Sequence, residues 1–157
     1  MIEVSEILET ADLESLVADI NGAAWDAGND MSDYEASALR LYLASQDTVF
    51  IACYETGAAE AVSPQLMGIA SARFQLKPYG HERWLYVDEV DVCADQRNKG
   101  AGRAMMHTLL AIARERGCDE LWLGTETDNA AANALYRSIS PDEEESFVGY
   151  AWELKRG

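Results

Sequence analysis

A mixed α/β domain built around one parallel crossover is the fold class that this sequence predicts. Helix-spaced and strand-spaced apolar patterns alternate along the chain in the order ααββ, then βαβα, then β. The run strand 83–94, helix 102–116, strand 119–127 reads as a βαβ unit, whose strands should lie parallel. The first strand of that unit changes its apolar phase midway, which marks a bulge.

Each element has its own justification. Residues 10–27 place Leu13, Leu16, Val17, Ile20 and Ala24 at helical spacing, with Thr10 or Asp12 able to cap the start. A second helix runs from about Asp33 to Ala44 and carries Tyr34, Leu39, Leu41, Tyr42 and Leu43. The runs "TVFIACYE" (48–55) and "QLMGIASARFQL" (65–76) read as strands joined by the turn-rich "TGAAEAVSP", a hairpin with a long loop. In "RWLYVDEVDVCA" (83–94), Leu85 and Val87 are apolar at odd positions, whereas Val90 and Val92 are apolar at even ones. A strand has a period of two, so an extra residue near Asp88–Glu89 is needed to keep one apolar face. A strand buried on both faces needs no phase, but two acids inside the irregular stretch favour the bulge.

Residues 102–116 form an amphipathic helix through Met105, Met106, Leu109, Leu110, Ile112 and Ala113. Arg114 and Arg116 suit the negative end of its dipole, and Gly117 suits its C-terminal exit. A strand at 119–127, a helix at 129–138 and a final strand "SFVGYAWEL" at 146–154 complete the order.

With 157 residues the chain is expected to be a single domain, 1–157, large enough to bury a core. No apolar run approaches the roughly 18 residues of a membrane span, and "MIEVSEILETADLES" lacks the basic and apolar regions of a signal peptide. Cys53, Cys93 and Cys118 are odd in number and form no CxxC pair. They read as reduced thiols of a cytoplasmic protein, with no metal site. A formal net charge of −16 argues against nucleic acid or anionic membranes as partners and is compatible with polycations.

Against that acidic background, "QRNKGAGR" (96–103) holds three basic residues and no acid at the start of a helix. Such a start offers unpaired N–H groups and a positive dipole end to an anion, and Gly100 and Gly102 let a phosphate approach the backbone. A Walker A loop is excluded because Arg103 and Ala104 follow Gly102, and a dinucleotide fingerprint because Met105 stands where its third glycine belongs. What remains is Arg97-x-x-Gly100-x-Gly102.

The stretch from Val87 to Tyr136 resembles the cofactor-binding half of the GNAT superfamily of acetyl-CoA-dependent N-acetyltransferases. Arg97-x-x-Gly100-x-Gly102 matches that family's pyrophosphate loop, and Asn129-x-x-Ala132-x-x-Leu135-Tyr136 matches its later helix. The resemblance implies a GNAT fold, a mixed central sheet with a bulged strand and flanking helices. It also implies acetyl-CoA as cofactor, held by Val90, Asp91 and Val92 of the bulged strand, by Arg97, Asn98, Lys99, Gly100, Ala101, Gly102 and Arg103 of the loop, and by Asn129, Ala132 and Tyr136. "FQLKPYGHERWLYVDEVDV" is similar to the aminoglycoside 3-N-acetyltransferases of the gentamicin and fortimicin resistance type. This narrower resemblance implies an aminoglycoside acceptor and resistance by direct transfer in a ternary complex. A homodimer through the final strand is a further implication. The family often has Gly and an aromatic soon after Leu-Tyr; here "SISPD" stands there instead.

Acetyl transfer needs a neutral amine, so a carboxylate that removes the ammonium proton helps. Glu89 at the bulge is the first candidate base and Asp88 the second, and either can also bind substrate ammonium groups. Backbone N–H groups near Val90–Val92 are candidates for holding the thioester oxygen. Tyr136, by its motif position, is the expected proton donor. Glu126, Asp128 and Asp142 are further acids expected to face a polycationic substrate, with Asp26, Asp30 and Asp33 beside Trp25 as an opposite wall. A polyamine or a protein or peptide amine as acceptor, and a non-catalytic acyl-CoA-binding module, are the competing readings.

Overall fold

The computed structural model describes residues 1–26, 33–57 and 63–155. Asp30, the last residue of the first expected helix and most of the expected 56–64 turn lie outside them. The described chain divides into two compact units, Met1–Gly124 and Thr125–Gly157.

The first unit is a five-stranded mixed sheet in sequence order: β1 (Ile2–Glu6), β2 (Thr48–Glu55), β3 (Gln65–Leu76), β4 (Arg83–Val92) and β5 (Glu120–Leu123). The first four pair antiparallel. The β4–β5 pair is parallel, as the crossover requires. Sequence reading missed β1, a five-residue edge strand with only Ile2 and Val4 as apolar members; pairing with β2 makes it a strand.

Helices α1 (Leu13–Gly22) and α2 (Ala36–Ala44) cover one face of the sheet. The Asp12 carboxylate caps α1 by accepting from the Ser15 N–H. Leu13, Leu16, Ile20 and Leu39 pack there against Phe50, Ala52, Leu66 and Ile69. The long helix α3 (Ala101–Glu115) covers the other face, packs against all five strands, and buries Met105, Met106, Leu109 and Ile112. Cys53, Cys93 and Cys118 are free thiols. No helix among the described residues is long and apolar enough to cross a membrane.

The second unit holds α4 (Ala130–Ser138) and a tail. Asn129 accepts from the Ala132 N–H at 3.1 Å and so caps α4. Asn133 donates to the carbonyls of Glu126 and Asn129, fastening the loop that leads in. After α4, Ser140 takes a left-handed conformation (φ 59°) and Glu144 pairs with Arg137. The strand expected at 146–154 does not form: residues 141–155 adopt no helix or strand, and Val148, Tyr150, Trp152 and Leu154 are exposed. Their apolar alternation fits a strand, but alternation supplies only a face. A strand also needs a neighbour for its backbone groups.

Candidate acyl-transfer site

The bulge lies where the apolar phase breaks. Ser71 of β3 pairs with Glu89 and Ala72 with Val87, so Asp88 is the extra residue. The insertion keeps Leu85, Val87, Val90 and Val92 on the α3 face, and Tyr86, Glu89 and Asp91 on the α1–α2 face. It also changes which peptide groups look outward. Cys93 N–H donates to the Met67 carbonyl, so by the alternation of an antiparallel ladder the groups of Glu89 and Asp91 face β3 and those of Val90 and Val92 face away. β5 accompanies β4 only over Trp84–Val87, and no described strand lies along the edge of Asp88–Val92 that faces away from β3. That edge is built to receive an extended ligand by backbone pairing. Asp91 therefore differs from the rest of the expected cofactor set: its peptide turns to β3, and its carboxylate lies near the Tyr34 phenol.

The two acids at the bulge have unlike environments. Asp88 accepts from the Arg73 guanidinium at 3.3 Å, and that guanidinium also lies over the Tyr86 ring. Glu89 is exposed, and its carboxylate has no hydrogen-bond or ion-pair partner among the described residues. Two tyrosines from the helical layer approach this acidic edge. Burial, and then the charges of Glu89 and Asp91, push the Tyr34 phenol up to about 12. Burial and the nearby Asp88 raise Tyr42 to about 12 as well, while its hydroxyl donates to the Ala72 carbonyl at 2.8 Å, beside the bulge. Sequence reading had taken both tyrosines only for helix packing; the polar tip of a tyrosine on an apolar stripe was the available signal.

Past β4 the chain makes a short 3-10 turn (Ala94–Gln96) and enters α3 through Gly100. Gly100 is left-handed (φ 94°), as is Asn98 (φ 60°), and as the N-cap residue Gly100 brings no side chain to cap α3. The orphan N–H groups of a helix start therefore meet no built-in partner from a capping side chain. Lys99 donates to the buried Gln96 side chain at 3.0 Å, and Arg97 pairs with Asp26. Asp26 thus lies beside the loop, and Ala94 N–H to Ala24 O (2.7 Å) ties the same two segments. This uncapped, basic helix start fits a pyrophosphate. Gly68 was also missed. A Cβ there would sit 2.5 Å from the Asp91 carbonyl oxygen and 2.7 Å from Met105 Cε, so a side chain would wedge α3 away from β4. An isolated glycine inside a strand is its sequence signal.

In the second unit, Glu126, Asp128 and Asp142 are exposed, Asn129 serves as the α4 cap, and Ala132 and Tyr136 are partly buried on α4.

Compared with known proteins, residues 13–139 match the profile of the acetyltransferase (GNAT) family. The chain belongs to that family. As a GNAT chain it is 29% identical over 122 residues to N-acetyltransferase family 8 member 3 of Mus musculus, covering 77% of this chain and 51% of the mouse protein. The chain thus spans about half the length of that relative. It is also 40% identical over 55 residues to the streptothricin acetyltransferase of Streptomyces lavendulae, covering 35% of this chain and 29% of that enzyme. Among solved structures, an aminoglycoside acetyltransferase from an uncultured soil metagenomic sample, in complex with trehalose, superposes with a TM-score of 0.79 at 18% identity. The superposition covers 98% of this chain and 97% of that one. The same enzyme in complex with sisomicin gives a TM-score of 0.76 at 16% identity, over 98% and 97% of the two chains. At such identities the likeness carries the GNAT fold alone.

Proposed function

We propose that this protein is an acetyl-CoA-dependent N-acetyltransferase that modifies the 3-amino group of an aminoglycoside, conferring resistance, with residues 1–157 acting as one domain. The observation that carries the proposal is the exposed Glu89 carboxylate, without a hydrogen-bond or ion-pair partner among the described residues, one residue past a bulge and on the strand that feeds a basic helix start. The family match spans both compact units, which supports the single-domain reading.

Acetyl-CoA supplies the acetyl thioester when bound. Arg97, Asn98, Lys99, Gly100, Ala101, Gly102 and Arg103 are the residues to hold its pyrophosphate, through backbone amides supported by the basic side chains. The outward peptide groups of Val90 and Val92 would hold its acyl arm and offer N–H groups to a carbonyl oxygen as charge develops. Glu89 Oε accepts the proton of the substrate ammonium, which frees the amine lone pair. Asp88, fixed by Arg73, contributes field more than proton transfer. Tyr136 enters through its motif position, with its hydroxyl as proton donor. Asp91, with Glu126, Asp128 and Asp142, adds negative charge that favours a polycationic acceptor.

The test is release of free thiol from acetyl-CoA with gentamicin, sisomicin, kanamycin, spermidine and a lysine peptide as acceptors. Turnover confined to the aminoglycosides is expected, and Glu89→Gln should lower kcat/KM by about 10²- to 10⁴-fold while acetyl-CoA binding persists. Preferred turnover of spermidine or the peptide would overturn the acceptor assignment. Saturable acetyl-CoA binding without turnover of any amine would leave an acyl-CoA-binding module.

A further inference from the structure

On the α1–α2 face of the sheet, three side chains form a row across three strands. Phe50 of β2 pairs with Ser71 of β3, and Ser71 pairs with Glu89 of β4. The small Ser71 between two larger neighbours leaves a notch in the row, and Ser71 is only half-buried. Tyr34 stands over this row, its ring 6.0 Å from that of Phe50 at an interplanar angle of 58°. It is not left there by packing alone. The Asn21 side chain at the end of α1 donates to the Tyr34 carbonyl and accepts from the Tyr34 N–H, both at 2.9 Å. This two-way clamp fixes the backbone of a residue outside any helix or strand. The Tyr34 and Ser71 hydroxyls have no hydrogen-bond partner among the described residues.

We infer that Tyr34 and Ser71 select acceptors that carry hydroxyl groups close to the reacting amine, with Asn21 as the residue that positions Tyr34. The inference rests on the acceptor site proposed above and goes beyond it, since carboxylates alone attract any polyamine and cannot tell one from another. An ammonium placed against Glu89 leaves its substituents over the notch, where two hydroxyls are ready to exchange hydrogen bonds. A methylene chain there offers nothing in return, and polar groups left unpaired on binding count against it. The raised pKa of Tyr34, about 12, keeps its proton in place as a donor at physiological pH.

The experiment is calorimetric titration of the full chain, loaded with CoA, with kanamycin and with spermidine, for the wild type and for Tyr34→Phe, Ser71→Ala and Asn21→Ala. Tyr34→Phe keeps the ring on Phe50 and removes only the hydroxyl. Expected is a loss of kanamycin affinity of about tenfold for Tyr34→Phe, a smaller loss for each of the other two, and spermidine affinity within twofold of wild type throughout. Kanamycin affinity unchanged in Tyr34→Phe, or an equal loss for both amines, would overturn the inference while leaving the proposed acceptor site intact. A wild type that binds neither amine would sink that proposal, and this inference with it.

Discussion

Two places in this chain use a left-handed residue at a helix end, with unlike sequels. Gly100 (φ 94°) opens α3, and Ser140 (φ 59°) follows the end of α4. At Gly100 the sequence puts the residue that tolerates this conformation, and the helix that follows packs against every strand of the sheet. At Ser140 it puts a residue that pays for the same geometry in strain, and residues 141–155 beyond it form no regular element. Local backbone chemistry governs both turns. What differs is whether the segment that follows builds a regular element.

The largest loss of stability is expected at the join between β3, β4 and α3. Gly68→Ala forces a Cβ into contact with a backbone oxygen and a methionine terminus; only the methionine can move cheaply. Destabilisation of roughly 1–3 kcal/mol is expected, the range for overpacking, read as a lower urea midpoint at unchanged slope. A variant as stable as the wild type would mean that β3 and β4 can part locally, and the order ascribed to this region would be overstated.

A comparable loss of stability, with a larger loss of binding, is expected from Gly100→Val. A left-handed conformation costs an ordinary L residue about 1–2 kcal/mol, and a β-branched one more. Here the open space around the Cβ position, with only Ile2 Cδ1 at 3.6 Å, leaves conformation as the cost rather than collision. If the turn opens, the orphan N–H groups lose their common focus. Acetyl-CoA affinity should then fall by about tenfold or more, measured by titration calorimetry, and unaltered affinity would remove the loop from the cofactor site.

These contrasts also mark what could be read from sequence. The bulge was legible because a period of two is strict: Leu85 and Val87 cannot share a face with Val90 and Val92 without an extra residue. The α3 start was legible because glycines and basic residues act within one turn. The final strand was misread because the alternation of Val148, Tyr150, Trp152 and Leu154 describes one edge of a pairing whose other edge lies elsewhere in sequence. β1 shows the converse, since five residues with two weakly placed apolar side chains become a strand by pairing with β2. Glu89 is a candidate because the bulge, which is legible in the sequence, falls beside it. The row that brings Tyr34 and Ser71 near Glu89 is not legible in sequence, because it runs through Phe50 and through the Asn21 clamp, and no local spacing encodes a cross-strand row.

The mildest perturbation sharpens the second half of the comparison. Ser140 N–H donates to the Arg137 carbonyl at 3.1 Å, and Ile139 N–H to that of Tyr136, so the end of α4 closes in the manner that a glycine at position 140 would favour. Ser140→Gly relieves the left-handed strain but adds freedom to the unfolded chain, and the two effects partly cancel. A net stabilisation of about 0.5 kcal/mol is therefore expected, seen as roughly twofold slower native-state hydrogen exchange in the last turn of α4. The far-ultraviolet spectrum should not change, because relieving the turn brings no described strand alongside residues 146–154. A gain of strand signal in this variant would show the opposite: that the serine turn, rather than the absence of a neighbour, keeps the final segment out of a sheet.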